Sequence, residues 1–342
     1  MDTGTSSSLD TQVEIDDKNP RVDQEKGAIS STTQDVLLVT WSGEDDSANP
    51  KNWPLSKKWL ITILISCGGL ICLMSSTMLA PALEKIVDEM HVSQDRANTT
   101  LTIFVLAFAF GPMILAPMAE VFGRRNVWLL CSTWYTVWNM ACGFSNSNEL
   151  LLAARLLAGL GSSVKYAIGQ PVLGDLWRPE QRGMSFAVAT FIPLLGPAIG
   201  PLLGGIITGS IGWRWVFWVL SIFDAWLIVV AYFVWPETYG QLLLHRKGTK
   251  LSKETGVQHY PLYDIHAQAF GTQLQNALLR PCRLLIRQPV VQLMSLMMAF
   301  NYGTLYFVLT SYASLWTSKY HQIVTIPGLH YIALAIGYTV AA

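Results

Sequence analysis

Apolar runs of about 20 residues recur along the chain, and short polar breaks separate them. A helix needs about 20 apolar residues to cross the hydrocarbon core of a bilayer. The repetition excludes a soluble domain and predicts an all-α integral membrane protein. The predicted spans are Trp59–Ala80, Thr99–Met118, Val127–Phe144, Leu150–Leu173, Met184–Ile206, Trp213–Trp235 and Val290–Leu315. An eighth begins near Ile326 and is still running at Ala342.

Charged residues are concentrated before the first span. Residues 1–58 hold 17 of the 46 charged side chains, 11 of them acidic and 6 basic, and have almost no clustered apolar residues. Such a segment cannot bury enough apolar surface to offset its chain entropy. We therefore expect a disordered tail over residues 1–58. The whole chain has 23 basic and 23 acidic residues, a balance that argues against nucleic acid as a partner.

Lysine and arginine in the loops predict the orientation, because cytoplasmic loops carry the excess of these residues. With a cytoplasmic N-terminus, four cations fall in outside loops: Lys85, Arg96, Arg214 and Lys319. Fourteen fall inside: Lys51, Lys57, Lys58, Arg124, Arg125, Arg178, Arg182, Arg246, Lys247, Lys250, Lys253, Arg280, Arg283 and Arg287. This asymmetry predicts a cytoplasmic N-terminus. It opposes a seven-span receptor, the rival class, which would need its N-terminus outside.

One long polar loop divides the spans into two groups. Residues 59–235 form a predicted N-terminal six-helix bundle, and residues 290–342 begin a second, incomplete bundle. Residues 236–289 are the predicted cytoplasmic loop, in which His266–Arg287 is either an interfacial helix or a solvated linker. This layout is typical of a two-bundle transporter. The bilayer is then a partner, and we expect a monomer.

The residues give no sign of an enzyme. Four of the five cysteines lie inside apolar runs, where a small hydrophobic residue is the simplest interpretation. The six histidines are scattered, and no Cys/His cluster has metal-ligand spacing. We expect no catalytic residues, no metal and no cofactor.

The fifth span carries a dense glycine pattern, Gly196-x-x-x-Gly200-Pro201-x-x-Gly204-Gly205. Small residues at this spacing let two helix backbones approach closely, and a proline can bend the helix. The pattern predicts a tight helix contact. A packing face without a role in transport is the alternative.

The loop between the second and third spans combines charges of both signs at the membrane surface. Glu120 precedes Gly123, Arg124 and Arg125, and Gly123 permits a tight turn. Ion pairs among these charges could lock a bundle and open by exchange. Asp175, after the fourth span, is a candidate partner of Arg124 or Arg125. Alternatively, the two arginines only satisfy the preference for positive charge inside.

Charged residues inside the fourth and sixth spans are candidates for the transport path. Lys165 and Asp224 are predicted at similar depths, and buried charges in hydrocarbon persist mainly when paired or wetted. We therefore predict a Lys165–Asp224 pair, with a purely structural ion pair as the alternative. Polar residues along the fourth span, which we expect to line the bundle interior with Lys165, are Arg155, Tyr166 and Gln170.

The seventh span is rich in aromatic residues around Asn301: Phe300, Tyr302, Tyr306 and Phe307. These rings could stack on a flat organic substrate. Anchoring at the membrane interface is the commoner use of tyrosine. Asn301 and Tyr302 are therefore added as candidates for the substrate path.

Several of these motifs together resemble the major facilitator superfamily, and in particular the fungal twelve-span drug:proton antiporters. Gly196–Gly205 resembles that group's helix-five antiporter motif. Glu120–Arg125 resembles the superfamily's loop motif between helices two and three, and Arg155 with Gly159 and Gly161 resembles its helix-four motif. Trp41–Trp53 is similar to the fungal signature before helix one. The segments Pro236–Tyr239, Arg246–Lys247 and Lys253–Gly256 resemble its central-loop opening.

The resemblance implies a major facilitator fold and export of a small amphipathic molecule (a drug, toxin or secondary metabolite) in exchange for protons. It gives Arg155 a role in coupling and assigns the cytoplasmic gate to Glu120, Arg124, Arg125 and Asp175. It implies the cell membrane as the location, with the vacuolar membrane as the alternative. A proton-coupled importer of a nutrient, such as a sugar or polyamine, is the rival function.

Departures from this pattern affect the expected function. The first span contains no carboxylate, so Asp224 is our candidate proton carrier. Lys165 does not belong to the pattern, and it could favour anionic substrates or balance Asp224. The group has twelve spans, whereas this sequence stops inside the eighth. The chain is therefore expected to be either a fragment or a truncated transporter that is inactive alone.

Overall fold

The computed structural model of the protein describes residues 37–41, 46–255, 259–261, 275, 279 and 283–318. The first helices are α1 (Leu55–Thr77), α2 (Leu83–Met90), α3 (Gln94–Phe122), α4 (Arg124–Gly143) and α5 (Asn148–Leu176). They are followed by α6 (Arg182–Leu194), α7 (Gly196–Ser210), α8 (Arg214–Val234), α9 (Gly240–Thr255) and α10 (Pro289–Ser318). Short 3-10 helices cover Pro50–Asn52, Ala80–Ala82 and Pro179–Gln181.

Each predicted span up to the seventh coincides with a helix, and the fifth is divided in two. The break between α6 and α7 falls at Leu195. Pro197 has no amide hydrogen to donate to Pro193 four residues earlier, and its ring clashes with that carbonyl. These effects of Pro197 account for the break at Leu195, whereas Pro201, to which the sequence pattern points, lies inside α7.

Five segments of the described chain are long and apolar enough to cross a membrane: Leu55–Met90, Gln94–Phe122, Asn148–Leu176, Pro179–Ser210 and Arg214–Val234. The third predicted span, α4, is not among them, because asparagine, serine, threonine and four aromatic side chains lower its hydropathy. Its polar side chains Thr136 and Asn139 bond to α8. It is therefore a helix of the bundle whose polar side chains face other helices.

The helices pack into one bundle. α5 packs against α3 and α4, α4 also against α8, and α1 against α5, α6, α7 and α8. The side chains of Ile222, Trp226, Val229 and Phe233 form an exposed apolar stripe along α8. A stripe at this helical spacing, directed away from the bundle, is what a lipid-facing surface requires.

The two ends of the bundle differ. The near end is defined here as the end where α1 and α4 start and where α5 and α8 finish. The far end is the opposite one and includes α2. At the near end, β1 (Leu37–Val39) pairs in parallel with β2 (His259–Pro261). Asp46 forms an ion pair of 3.2 Å with Lys247 of α9. These contacts link the segment before α1 to the long loop after α8.

The structure differs from the sequence prediction in this near-end region. The predicted disordered tail reaches residue 58, yet β1, the 3-10 helix Pro50–Asn52 and the first residues of α1 lie within it. Asn49 caps the 3-10 helix by accepting a hydrogen bond from the Lys51 amide at 3.1 Å. The loop 236–289 contains α9, a helix too polar to be recognised by apolar length.

Some predictions lie outside the described residues. These are the tail up to residue 36 and the eighth span from Ile326. Of the predicted interfacial helix, only Gln275, Leu279 and residues 283–287 are described, and all are helical.

Candidate functional site

A fully buried ion pair lies in the middle of the bundle. Lys165 Nζ is 2.5 Å from Asp224 Oδ1, and neither side chain is exposed (0% for both). The Thr136 hydroxyl donates to the other carboxylate oxygen at 2.7 Å. The ammonium also lies 4.0 Å from the centroid of the Tyr135 ring. The predicted contact between Lys165 and Asp224 is therefore present, and α4 adds two partners that the sequence did not predict.

Three helices hold this pair in place. Lys165 comes from α5, Asp224 from α8, and Thr136 and Tyr135 from α4, which packs between them. Both oxygens of the carboxylate are engaged by donors. Burying charges costs several kcal/mol unless each is paired and hydrogen-bonded, and this arrangement meets both conditions.

Arg155 is also fully buried in α5, nearly three turns from Lys165 toward the far end. Its Nε donates to the Thr100 carbonyl, and both Nη atoms donate to the Ser75 carbonyl, all at 3.2 Å. Its guanidinium lies 4.2 Å from the centroid of the Phe104 ring. Arg155 thus connects α5 to α1 and α3 through backbone carbonyls.

The other candidates for the substrate path lie at the edge of the bundle. Lys165, Tyr166 and Gln170 line one small pocket together with Pro193. Tyr166 is 6.3 Å from Phe108, ring centroid to ring centroid, and bonds through its side chain to Tyr302 of α10. Asn301 is exposed and does not line this pocket. The pocket therefore groups Lys165, Tyr166 and Gln170. Tyr302 is next to Tyr166 but does not line the pocket, and Asn301 is apart from both.

The glycine motif packs α7 directly on α1. A Cβ atom added at Gly196 would lie 2.9 Å from Leu73 Cβ, and one at Gly200 would lie 2.5 Å from Thr77 Oγ1. At Gly204 it would lie 2.1 Å from the Met78 carbonyl oxygen. Pro201 and Gly205 are buried in the same helix. The predicted tight contact is thus present, with α1 as the partner.

Ion pairs at the near end differ in part from those predicted. Arg124 Nε lies 2.5 Å from Asp175 Oδ2, which joins α4 to α5. Arg125 Nη2 donates to the Tyr232 carbonyl of α8 at 2.7 Å. Glu120 is exposed and forms no ion pair in the described part of the chain. The expected pairing of Glu120 with the arginines is therefore corrected, because their side chains turn to partners on other helices.

A carboxylate that the sequence did not single out closes this end. Glu237 Oε1 accepts hydrogen bonds from the backbone amides of Arg124 (3.1 Å), Thr238 and Tyr239 (both 3.0 Å). It therefore sits at the start of α4, where a negative charge is favoured. Its signal in the sequence is the Pro236–Tyr239 motif, which indicates the opening of the central loop but not a helix cap.

Gly123 makes this contact possible. Its φ is +94°, a conformation that favours glycine, and an added Cβ would lie 2.3 Å from Glu237 Oε2. Tyr239 packs on Arg124 as well: its ring centroid is 4.9 Å from the Arg124 guanidinium. Burial raises the pKa of Tyr239 to about 12. Its hydroxyl stays protonated at neutral pH and donates to Gln241 at 2.6 Å.

The far end has its own bridge. Arg214 of α8 forms an ion pair with Glu89 of α2, and the Trp213 indole donates to the same carboxylate at 2.6 Å. The Lys85 ammonium donates to the Thr208 carbonyl of α7. Arg214 and Lys85, which the sequence analysis used only to predict the orientation, therefore attach α2 to the bundle.

Apolar helices around a buried ion pair, with charged bridges at both ends, define a polytopic membrane protein. Residues 65–342 match the Major Facilitator Superfamily. The chain belongs to this family, and the predicted family and fold are confirmed.

Fungal transporters are among its relatives. The chain is 38% identical over 331 residues to an uncharacterized transporter of Schizosaccharomyces pombe, covering 94% of this chain and 66% of that one. It is 34% identical over 322 residues to the efflux pump vrtL of Penicillium aethiopicum, covering 94% of this chain and 64% of the pump. The chain thus spans just under two thirds of the length of both relatives.

A solved structure shares the fold. The crystal structure of a bacterial homologue of the human lysosomal transporter Spinster, inward-facing and unoccupied, has a TM-score of 0.61 at 15% identity. The alignment covers 82% of this chain and 59% of that one. At this identity, the likeness concerns the fold alone.

Proposed function

We propose that the protein exports a small amphipathic organic molecule in exchange for protons, by alternating access. The observation that carries the proposal is the fully buried Lys165–Asp224 pair, which the Thr136 hydroxyl completes. An ionisable pair inside the membrane marks a site for proton or substrate passage more often than a structural support. The efflux pump among the relatives supports the direction.

The pair can couple a proton to transport because only one protonation state of Asp224, the ionised one, draws the three helices together. With Asp224 ionised, Lys165 and Thr136 satisfy the carboxylate and draw α4, α5 and α8 together. When Asp224 takes up a proton, its negative charge is lost and the ionic attraction to Lys165 ends. The ammonium then keeps the Tyr135 ring as its neighbour. Release of the proton restores the pair.

The near end supplies a gate in this proposal. Arg124, Asp175 and Glu237 connect α4, α5 and the start of the central loop. We place this end in the cytoplasm, following the loop charges, and the protein in the cell membrane. The tight α7–α1 contact keeps these helices together as a rigid unit during the movement. Protons, the small-molecule substrate and the bilayer are the proposed partners.

The domain limits keep their predicted form as part of the proposal: a six-helix bundle over residues 59–235, a central loop over 236–289 and a second bundle from 290. Alternating access would move these two bundles against each other around a central substrate site. Arg155, Tyr166, Gln170, Asn301 and Tyr302 are the proposed neighbours of that site.

Transport in vesicles tests the proposal. The full-length protein is reconstituted into liposomes, a pH gradient is imposed, and uptake of a fluorescent amphipathic dye is followed. Inside-acidic vesicles should accumulate dye with the wild-type chain but not with Asp224→Asn. The matched control is Glu89→Gln, the same carboxylate-to-amide change in an ion pair at the far end, and it should keep uptake. Accumulation driven by the opposite gradient would indicate an importer. Unchanged uptake by Asp224→Asn would remove Asp224 from coupling.

A further inference from the structure

A cavity of about 490 Å³ opens at the near end of the bundle, apart from the buried ion pair. The start of α1, the start of α4, the end of α8 and α9 all contribute to its lining. Three cations line it, each from a different helix: Lys57, Arg125 and Arg246. Such a concentration of positive charge in one cavity calls for a negatively charged occupant.

The charge of the cavity is not balanced from within. None of the three cations takes part in an ion pair in the described part of the chain. Lys57 Nζ lies 3.9 Å from the centroid of the Trp53 ring, and Arg125 Nη2 bonds only to a backbone carbonyl. Glu237 also lines the cavity, but its Oε1 already accepts three backbone hydrogen bonds. Three positive charges and one negative charge leave a formal excess of two.

Two buried donors at the cavity lack partners. Arg125 Nε and the Trp235 indole nitrogen are inaccessible to solvent and make no hydrogen bond within the described chain. Both residues line the cavity. The buried Glu237 Oε2 also has no hydrogen-bond partner within the described chain. None of these three atoms has surface in the cavity, so the accessible cations are the groups that would contact an occupant.

The apolar surroundings indicate which kind of anion fits. Phe233, which lines the cavity, is 80% exposed and ends the apolar stripe of α8 that runs through Val229 and Trp226. Tyr232 beside it is also exposed. Positive charge is therefore located directly at the end of a lipid-facing stripe. A soluble anion would contact only the cations, whereas an anionic amphiphile would contact both the cations and the apolar stripe.

We propose that this cavity binds the phosphate headgroup of an anionic phospholipid, whose acyl chains follow the α8 stripe. Lys57, Arg125 and Arg246 contact the headgroup oxygens. Anionic lipids are concentrated in the cytoplasmic leaflet, which is the leaflet of the near end in the orientation proposed above. The lipid would join α1, α4, α8 and α9, and so stabilise the near end of the bundle.

Native mass spectrometry of the purified full chain tests the assignment, with phosphatidylinositol and phosphatidylcholine titrated in detergent. Phosphatidylinositol should bind more tightly. Lys57→Gln and Arg246→Gln should each weaken it about fivefold, the effect of one basic residue near an anionic surface. Arg246→Lys, which keeps the charge, should retain most of the affinity. These variants change side chains at the rim of the cavity, so correct folding is checked by size-exclusion chromatography.

The control is Lys250→Gln, the loss of one charge a single turn further along α9. Lys250 is exposed, and its ion pair with Glu254 is 3.9 Å long, so binding should not change. An equal loss of phosphatidylinositol affinity with Lys250→Gln would show non-specific attraction and contradict the proposed site. Competition by millimolar inorganic phosphate would show a soluble-anion site instead of a lipid site. Equal affinity for phosphatidylcholine would overturn the proposal as well.

Discussion

Glu237 caps the helix that begins at Arg124, although the two residues are 113 positions apart in the chain. Its Oε1 accepts the Arg124 amide hydrogen at 3.1 Å, while the Arg124 side chain reaches Asp175. One arginine therefore connects the central loop, α4 and α5. The near end of the bundle is a network in which the backbone and the side chain of the same residue have different acidic partners.

Removing this cap should destabilise the protein. Glu237→Ala leaves three backbone donors without their acceptor, and a buried unsatisfied donor costs about 1–3 kcal/mol. We expect a lower thermal unfolding midpoint in detergent, with Glu237→Gln intermediate because its amide oxygen can still accept. Glu254→Ala is the control, since an exposed pair contributes about 0–1 kcal/mol. Equal midpoints for Glu237→Ala and wild type would contradict the capping role.

The contact between α7 and α1 should not tolerate a single added methyl group. In Gly204→Ala the new Cβ would lie 2.1 Å from the Met78 carbonyl oxygen, so the helices must separate. Overpacking of this kind costs about 1–3 kcal/mol. Gly174→Ala is the matched control, because a Cβ there meets nothing within 4 Å. We expect a lower yield of monodisperse protein for Gly204→Ala alone. Equal yields would show that the glycine spacing is incidental.

The buried pair should be expendable for folding but needed for coupling. Lys165→Met alone leaves Asp224 without its cation, and breaking a buried pair costs about 3–5 kcal/mol. The double variant Lys165→Met/Asp224→Leu removes both charges and should recover most of the unfolding free energy. It should remain inactive in gradient-driven transport. Recovered transport in the double variant would show that the pair is only structural.

The far-end bridge should matter for stability more than for transport. Arg214→Gln removes the ion pair with Glu89 and the hydrogen bond to the Ser145 carbonyl. Because both side chains are partly exposed, we expect a loss of no more than about 1 kcal/mol. Uptake by vesicles, corrected for the amount of folded protein, should stay close to wild type. A complete loss of uptake would place this bridge in the transport cycle.

The sequence predicted what depends on local patterns. Apolar length located the spans up to the seventh but not α2 or α9, and the similar depth of Lys165 and Asp224 in two spans predicted their contact. Several other contacts between residues that are far apart in the sequence were not predicted. Glu120 was predicted to pair with the arginines because it is close to them in sequence, whereas the carboxylate that bonds to the Arg124 amide is Glu237, 113 positions later. Thr136 and Tyr135 were not recognised, because only the packing of α4 between α5 and α8 brings them to the pair.

Proton movement during transport tests the central claim most directly. A pH-sensitive dye trapped inside vesicles that contain the full-length protein reports the internal pH while a substrate dye is added outside without a preset gradient. Substrate entry should make the vesicle interior more alkaline, because each molecule that enters exchanges for a proton that leaves. Asp224→Asn should abolish this change. Substrate entry at constant internal pH, or with acidification, would contradict proton antiport through the Lys165–Asp224 pair.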